Sequence, residues 1–192
     1  EEWPFKEYQK FKGVVIDEDI AWLLGYFIGD GSIGPYLNNK ERVRFFDQTI
    51  ENLEKVVSVL EKIVGFKYRI QRDSRNKTRY VTSYNKKLNL FLKEITGIKG
   101  KKDTEIAIPP IIFKSSLEVI SAFLAGLIDS DGYVDKNKIR LSYSTQSKKL
   151  ASEIACLCSL LGLRPALRER LPKKKNWRII YEINLDTKEQ LR

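Results

Sequence analysis

The chain has 192 residues, 42% of them hydrophobic, which is enough to form the core of one large domain or two small ones. Histidine is absent, and this excludes histidine-based nucleases, Ser-His-Asp catalysis and most zinc sites. The formal net charge of +10 favours a polyanionic partner.

Segments that would direct the chain to a membrane or out of the cell are missing from the sequence. There is no secretory signal, no run of 18 apolar residues and no lipidation motif, so we expect a soluble, cytoplasmic protein without a membrane partner. Cys156 and Cys158 lie two positions apart in an apolar helical pattern, a spacing that fits neither a CxxC metal site nor a disulfide. We expect both thiols to be buried.

The first half of the chain follows a short extension. Residues 1–16 contain aromatic side chains without clear periodicity and are expected to lie on the first half, which spans 17–97. Asp17 and the acids after it predict the start of a helix that ends before Gly31. Residue patterns then predict strands at 32–37, 42–48, 66–72 and 78–84 and helices at 51–64 and 88–96.

The second half repeats this order after a connector. Residues 98–114 contain a lysine run and a proline pair, and residues 115–192 form the second half. Ser115 with Glu118 resembles a capping box that opens its first helix. The pattern then predicts strands at 133–134, 138–145, 163–170 and 177–185, a helix at 148–161 and a last helix from about Thr187. Because helix, two strands, helix and two strands occur twice, the sequence indicates a duplication.

The first helices of the two halves carry the same motif. Residues 21–31 and 122–132 are identical at five of eleven positions, and both place small residues at every fourth position before ending in Asp-Gly. Small residues at this spacing form one narrow helix face, so we expect the two helices to pack closely along it. Each glycine fits a left-handed cap, which would make Asp30 and Asp131 the last residues of neighbouring helices.

Two carboxylates placed side by side in this way repel each other, and each lies at the negative end of a helix dipole. A divalent cation would remove this conflict, and carboxylate oxygens at an open position suit Mg²⁺, with Mn²⁺ as an expected substitute. The candidate metal site comprises Asp30 and Asp131 with the residues that precede them, Gly29 and Ser130. Asp129 lies about 200° around the helix from Asp131 and is expected to point away from the metal.

The motif also resembles that of a known family. LAGLIDSDG at 124–132 resembles the sequence that names the LAGLIDADG homing endonucleases, from which it differs at one residue, and LLGYFIGDG at 23–31 resembles the looser first copy of their single-chain members. The resemblance covers nearly the whole chain from about Asp17. It implies an α+β fold of two pseudo-symmetric αββαββα halves, in which two antiparallel sheets form a DNA-binding saddle around a central helix pair. It also implies a monomer that uses divalent metal to cleave a long, specific site in double-stranded DNA.

The same resemblance implies catalytic residues in addition to the acid pair. Members of the family have a catalytic polar residue at the end of the second strand of each half, and Gln48 and Gln146 match it in this chain. Helix capping or a base contact is the alternative role for these two glutamines. The family also has a catalytic lysine early in the last helix of a half, and Lys86 matches it in the first half, with Lys87 as the other candidate. The alternative role for Lys86 is an exposed charge on the helix surface. In the second half Lys188 matches more loosely, because its register is shifted by a residue or two.

Basic residues cluster at equivalent places in the two halves. Residues 67–87 contain eight lysines and arginines and one acid, and residues 164–178 contain seven and one. An antiparallel sheet with one solvated face leaves alternate side chains free to enter a DNA groove, although protection of an edge from aggregation is the alternative for any single strand. The candidate DNA contacts are Arg42, Arg44, Lys67, Arg69, Arg72, Arg75, Lys77, Arg79, Lys138, Arg140, Arg168, Arg170, Lys173, Lys175 and Arg178.

The sequence therefore predicts a site-specific DNA endonuclease, a metal-dependent phosphodiesterase that makes a staggered double-strand cut in an asymmetric target. The main alternative is a catalytically idle DNA-binding regulator or an RNA-splicing maturase on the same fold, and a structural basic protein is a further one. Residues 108–132 resemble intein endonuclease insertions, and together with the absence of methionine they point to an intein or an intron as host. The chain lacks a nucleophilic first residue and a histidine, so we expect no protein splicing from it.

Overall fold

The fold is seen in a computed structural model that describes residues 3–36, 40–74, 78–98, 105–135, 140–172 and 178–186. In these residues there are five α-helices: α1 (Glu18–Asp30), α2 (Ile50–Val64), α3 (Lys86–Thr96), α4 (Leu117–Asp131) and α5 (Lys148–Leu160). The strands are β1 (Gln9–Phe11), β2 (Val14–Ile16), β3 (Gly31–Tyr36), β4 (Lys40–Asp47), β5 (Ile70–Arg72), β6 (Arg79–Ser83), β7 (Gly132–Asp135), β8 (Arg140–Thr145), β9 (Ala166–Arg170) and β10 (Ile180–Asp186).

Two four-stranded antiparallel sheets have the same topology. The first has the strand order β3-β4-β6-β5 and the second the order β7-β8-β10-β9. In each sheet the first strand follows directly from the last residue of a long helix, α1 or α4. This confirms the predicted α+β fold of two duplicated halves. None of the helices in the described part of the chain is long and apolar enough to cross a bilayer.

Small residues allow α1 and α4 to meet along their main chains at the centre of the molecule. A Cβ atom added to Gly25 would lie 2.0 Å from the carbonyl oxygen of Phe123, and one added to Gly126 would lie 2.0 Å from the carbonyl oxygen of Trp22. Real side chains never approach a carbonyl so closely, so only glycine permits this contact. The small-residue stripes therefore form the helix interface that their spacing predicts.

The start of α4 differs from the prediction by one residue. As expected, Asp17 caps α1 through its side chain. At α4, however, the cap is Ser116 instead of Ser115, and the Ser116 hydroxyl accepts a hydrogen bond from the Val119 N–H at 3.4 Å. The Ser115 hydroxyl instead donates to the carbonyl oxygen of Ile111 at 3.0 Å, at the end of the 3₁₀ turn Ile112–Lys114. The preceding turn thus consumes the hydroxyl that the sequence offered as a cap.

The residues before α1 form a small hairpin that the sequence does not predict. Strands β1 and β2 pair with each other, and Phe11 packs edge to face on Phe91 of α3 with ring centroids 6.0 Å apart. The indole N–H of Trp3 donates to the carbonyl oxygen of Ser115 at 2.9 Å. The extension therefore contacts the first half and also the segment that leads into α4.

The two cysteines lie on different faces of α5, which corrects the prediction that both are buried. Cys158 is in the core, where burial raises the pKa of its thiol to about 11. Cys156 is exposed. Positions two apart on a helix are separated by about 200°, so a helix with one face on the core cannot bury both.

Candidate metal centre and nucleic-acid interface

Asp30 and Asp131 are the last residues of α1 and α4, and the structure brings them together at one end of the helix pair. A Cβ atom on Gly29 would lie 1.7 Å from the Ser130 hydroxyl oxygen and 3.5 Å from the Asp131 Cβ. The negative charges of both carboxylates affect the pKa of the buried Tyr143. Burial raises the pKa of its phenol, and the negative charges of Asp131 and Asp30 raise it further. The paired acids predicted from the motif therefore lie at one place.

The glycines after the two acids are not left-handed caps, contrary to the prediction. Gly31 has φ −78° and Gly132 has φ −87°, so the chain passes from helix to strand in an extended conformation. Glycine is still required there. A Cβ atom would lie 2.0 Å from a ring carbon of Phe27 at Gly31, and 2.7 Å from the Cα of Ile128 at Gly132. Both turns share a close approach of the glycine to the preceding helical turn, and neither has a positive φ.

The oxygen donors at the acid pair suit a hard divalent cation. Asp30 is half-buried and Asp131 is exposed, so the pair is open to solvent on one side. Carboxylate oxygens at an open position fit Mg²⁺ or Mn²⁺ better than a soft metal. Among the described residues no group of three or more His, Cys, Asp or Glu side chains could enclose an ion. Further ligands would come from water, a substrate phosphate, or the main chain at the predicted positions Gly29 and Ser130.

Asp129 points away from the acid pair and bonds to the first half. Its carboxylate accepts from the Trp22 indole N–H at 2.7 Å. Its main-chain carbonyl accepts from the side-chain amide of Asn52 at 3.0 Å. These contacts agree with the expectation that Asp129 points away from the metal site, and they join α4 to the first half.

Gln48 and Gln146 occupy equivalent places, each directly after the second strand of its half. Phe45 of β4 pairs with Gly31, which follows the acid, so the end of β4 lies at the same end of the sheet as the acid pair. The corresponding strands of the second half have the same register. Both glutamine side chains are exposed. The fold thus places both predicted glutamines at the end of the sheet where the acids lie.

Neither glutamine caps the helix that follows it. The N-cap positions of α2 and α5 are Thr49 and Ser147. The Gln146 side-chain oxygen accepts from the guanidinium of Arg178 at 3.5 Å. Helix capping, the alternative role considered from the sequence, does not apply to these two residues.

The structure does not bring Lys86 to the acid pair. Because β6 runs antiparallel to β4, α3 begins at the end of the sheet where β3 finishes. There Tyr84 packs on Tyr36 with ring centroids 4.7 Å apart, and Lys86 lines a surface cavity with Lys40. Tyr36 is five residues of extended chain beyond Gly31, or about 17 Å. Lys86 therefore lies at the end of the sheet away from the acid pair, which does not fit the catalytic role that the resemblance implies, and the lysine after it shares this location.

Several predicted residues lie outside the part of the chain that the structure describes. They are Lys188 of the catalytic set, with the predicted last helix, and Arg75, Lys77, Lys138, Lys173 and Lys175 of the DNA-binding set.

The open face of the first sheet carries arginines that stack on tyrosines. The Arg42 guanidinium lies 5.5 Å from the ring centroid of Tyr36, and the Arg44 guanidinium lies 5.3 Å from that of Tyr80. Beside them, Lys67 and Arg69 line a surface groove. An arginine placed over an aromatic ring is ordered in advance and can still use its remaining donors. These four basic residues therefore lie together on the open side of the first sheet.

Arg72 and Arg79, by contrast, do not lie on that open face. Arg79 pairs with Asp47 across the sheet, and Asp47 points toward the helices, where it bonds Tyr26. Arg72 pairs with Arg79 and so has the same orientation. One guanidinium nitrogen of Arg79 donates to the main-chain carbonyl of Gln48 at 2.7 Å. The prediction for these two is corrected, because cross-strand partners share a face and alternate residues do not.

The open face of the second sheet combines arginines with acidic and polar residues. Arg168 pairs across the ladder with Glu182, and Arg170 forms an ion pair with the same carboxylate. Arg140 lies opposite Asp135 at the end of the β7–β8 ladder. Arg140, Arg168 and Arg170 are thus present on this face, but their immediate partners differ from those in the first sheet.

A duplicated helix-and-sheet fold with one carboxylate at the end of each central helix is characteristic of a specific class of proteins. The family model for the LAGLIDADG-like domain matches the chain twice, at residues 17–96 and 118–192. The chain belongs to this family.

The curated proteins that the chain resembles include a replication factor subunit and an endonuclease. The chain is 31% identical over 176 residues to the replication factor C small subunit of Methanocaldococcus jannaschii, a match that covers 92% of this chain and 9% of that protein. It is 28% identical over 177 residues to the homothallic switching endonuclease of Saccharomyces cerevisiae, covering 82% of this chain and 30% of that protein. The chain thus spans less than a third of the length of these relatives.

Solved structures share the fold. The structure of I-DmoI in complex with DNA and Mn has a TM-score of 0.66 at 20% identity, covering 92% of this chain and 93% of that one. Full-length WhiA from Thermatoga maritima has a TM-score of 0.59 at 12% identity, covering 95% of this chain and 55% of that one. Both therefore have the same arrangement of two sheets around a central helix pair.

Proposed function

We propose that the chain is a site-specific endonuclease that hydrolyses both strands of a long, asymmetric target in double-stranded DNA, using Mg²⁺ or Mn²⁺. The observation that carries this proposal is the acid pair at the junction of two sheets with arginine on their open faces. The related fold of I-DmoI, solved with DNA and Mn, supports it. So does the relationship to a yeast endonuclease.

The residues at the pair have separable tasks in this proposal. Asp30 and Asp131 would hold the divalent metal, which lowers the pKa of an attacking water and stabilises the leaving oxygen. The exposed amides of Gln48 and Gln146 would each orient a water molecule at one of the two DNA strands, since each glutamine lies at the end of its own sheet that is next to the acid pair. Arginines on the two open faces would bind phosphates and base edges on either side of the cut.

A single chain contains both halves of this centre, so we propose a monomer that acts on an asymmetric site. The two halves contribute one acid each, which matches one cut on each strand. The open faces carry different side chains in the two halves, so the two halves of the target should differ in sequence. Each half would then bind its own half-site by its own set of contacts.

The relatives also support a mobile module as the origin of the chain. Segments similar to it occur in a replication factor, a DNA polymerase and an ATP synthase subunit, and each match covers 15% or less of that protein. A sequence that recurs as a small part of proteins with unrelated names is expected of an element that inserts into host genes. We propose that this chain derives from such an insertion, in an intein or an intron.

The test is cleavage of a DNA library that contains host-gene junctions and randomised sites, in Mg²⁺ and separately in Mn²⁺, followed by sequencing of the ends. The wild type is compared with Asp30→Asn and Asp131→Asn. The matched control is Asp19→Asn, which makes the same change near the other end of α1, where Asp19 pairs with Lys62 on the surface.

We expect the wild type and Asp19→Asn to cut both strands at one long site. Each acid-pair variant should lose double-strand cutting by at least about 100-fold, because the metal loses a charged ligand. Tight binding to one sequence without cuts in either metal would contradict the proposal and leave a DNA-binding regulator. Binding to RNA alone would indicate a maturase.

A further inference from the structure

A hydrogen-bond network joins the first half to the last turn of α4. One carboxylate oxygen of Asp47 accepts from the Tyr26 hydroxyl at 2.5 Å and from the Asn52 amide at 2.8 Å. The same Asn52 amide nitrogen also donates to the main-chain carbonyl of Asp129 at 3.0 Å. A single amide group therefore connects the end of β4 to a carbonyl that lies two residues before Asp131.

Asp129 is held by its side chain as well. Its carboxylate accepts from the Trp22 indole at 2.7 Å, and the Lys55 ammonium lies 4.1 Å from the centroid of the Trp22 ring. The last turn of α4 is thus bonded to α1 and α2 through both its main chain and a side chain. Asp131 belongs to the same turn, so its backbone position depends on these bonds.

The second half does not build the same network around the end of α1. By the register of the two sheets, the counterparts of Asp47, Asn52 and Asp129 are Thr145, Leu150 and Ile28. The Thr145 hydroxyl accepts from the Ser147 N–H at 3.1 Å, just as the Asp47 carboxylate accepts from the Thr49 N–H at 2.7 Å. The strand-to-helix turn is therefore kept in both halves. Leucine and isoleucine side chains, however, can neither donate nor accept a hydrogen bond.

We propose that Asn52, oriented by Asp47, is a positioning residue that fixes Asp131 relative to Asp30 from one side of the molecule. Its catalytic consequence rests on the proposed endonuclease function, whereas its effect on α4 does not. Without this amide, the last turn of α4 loses a bond to the first half, and Asp131 occupies its place less often. Asp30 keeps its own surroundings, so the cut that depends on Asp131 should slow more than the other.

The first measurement does not require cleavage. Amide hydrogen exchange is compared in the wild type and in Asn52→Leu, which introduces the residue found at the equivalent place in the second half. The matched control is Asn89→Leu. The Asn89 amide also donates to a main-chain carbonyl, that of Glu41 at 2.8 Å, but at the end of the first sheet away from the acids.

We expect the Gly132 amide, which donates to the Ile128 carbonyl at the end of α4, to exchange about tenfold faster in Asn52→Leu. The Gly31 amide, its counterpart at the end of α1, should change less than about twofold. In Asn89→Leu both should stay at the wild-type rate. Unchanged exchange at Gly132 in Asn52→Leu, or an equal rise at both glycines, would overturn the proposal.

The second measurement uses the cleaved site with a different label on each strand. In Asn52→Leu, the cut most impaired by Asp131→Asn should slow by about tenfold and the other by less than about twofold. Equal slowing of both cuts would show a general loss of structure and would contradict a one-sided role. If the wild type cuts no DNA, the endonuclease proposal fails, but hydrogen exchange still decides whether Asn52 positions the end of α4.

Discussion

The two halves are alike where they touch and different away from that contact. At the centre, α1 and α4 bring main chain against main chain through Gly25 and Gly126, and both helices pass directly into strands through a glycine. Farther out, the first sheet is closely covered by helices, and Leu24 is fully buried. The equivalent residue of the second half is Ala125, which is smaller and exposed.

The open faces differ in the same way. In the first sheet arginines stack on tyrosines, whereas in the second Arg170 is paired with Glu182. A duplicated protein must keep the residues that allow its two copies to pack, because a single added carbon would separate the helices. It can change the residues that face solvent or a ligand. The two open faces therefore present different charges and partners although they belong to the same fold.

The largest expected effect is therefore at the shared interface. In Gly126→Ala the new Cβ would lie 2.0 Å from the Trp22 carbonyl oxygen and 2.9 Å from the Tyr26 nitrogen, so the helices must separate. We expect the free energy of unfolding to fall by more than about 4 kcal/mol, measured by denaturant unfolding. Gly34→Ala is the control, because a Cβ there meets nothing within 4 Å, and it should change stability by less than about 0.5 kcal/mol. Similar losses in both variants would contradict the role given to the helix contact.

A second comparison exchanges residues between the halves. Leu24→Ala should lower the free energy of unfolding by about 3 kcal/mol, because Leu24 is fully buried and its removal leaves a hole. Ala125→Leu makes the reverse change at the equivalent position of the second half, which is exposed. It should change the free energy of unfolding by less than about 0.5 kcal/mol, because an exposed substitution seldom affects stability. If Ala125→Leu destabilised the protein as much as Leu24→Ala, position 125 would be packed as tightly as position 24, contrary to the structure.

The sequence predicts the helix pair well because its cause is local. Close approach of two helices requires small residues at a fixed spacing, and Ala21, Gly25 and Gly29 show that spacing directly. The paired Asp-Gly ends then locate the two acids. The cap geometry is not predictable in the same way, because Asp-Gly suits both a left-handed cap and a direct passage into a strand. Only the closeness of Phe27 to Gly31 shows why glycine is needed there.

Features that depend on strand direction and register were harder to predict. Lys86 is near the start of its helix as the pattern indicates, but the direction of β6 puts that start at the wrong end of the sheet. Arg79 is basic and in a strand, but its register turns it toward the helices. The bond from Asn52 to Asp129 joins residues 77 positions apart and leaves no periodic signal. Such contacts become visible only when the halves are assembled.

Two buried tyrosines provide the smallest effect, which appears as a dependence of stability on pH. Burial raises the pKa of Tyr26, and its hydrogen bond to Asp47 raises it further. Burial likewise raises the pKa of Tyr143, with the added charges of Asp131 and Asp30. In the unfolded chain both phenols ionise near pH 10, whereas in the folded protein they stay neutral. Their contribution is therefore complete below pH 10 and is lost as the pH rises above it.

We expect each tyrosine to add up to about 1.4 kcal/mol per pH unit to the loss of stability above pH 10. Tyr26→Phe and Tyr143→Phe should each reduce this slope, measured by denaturant unfolding between pH 9 and 11. Tyr84→Phe, at an exposed position, is the control and should follow the wild type. A reduced slope in Tyr26→Phe alone would mean that the phenol beside the acid pair is reached by solvent. The second half would then be open to solvent as far as the acid pair, and the difference between the halves would extend to that pair.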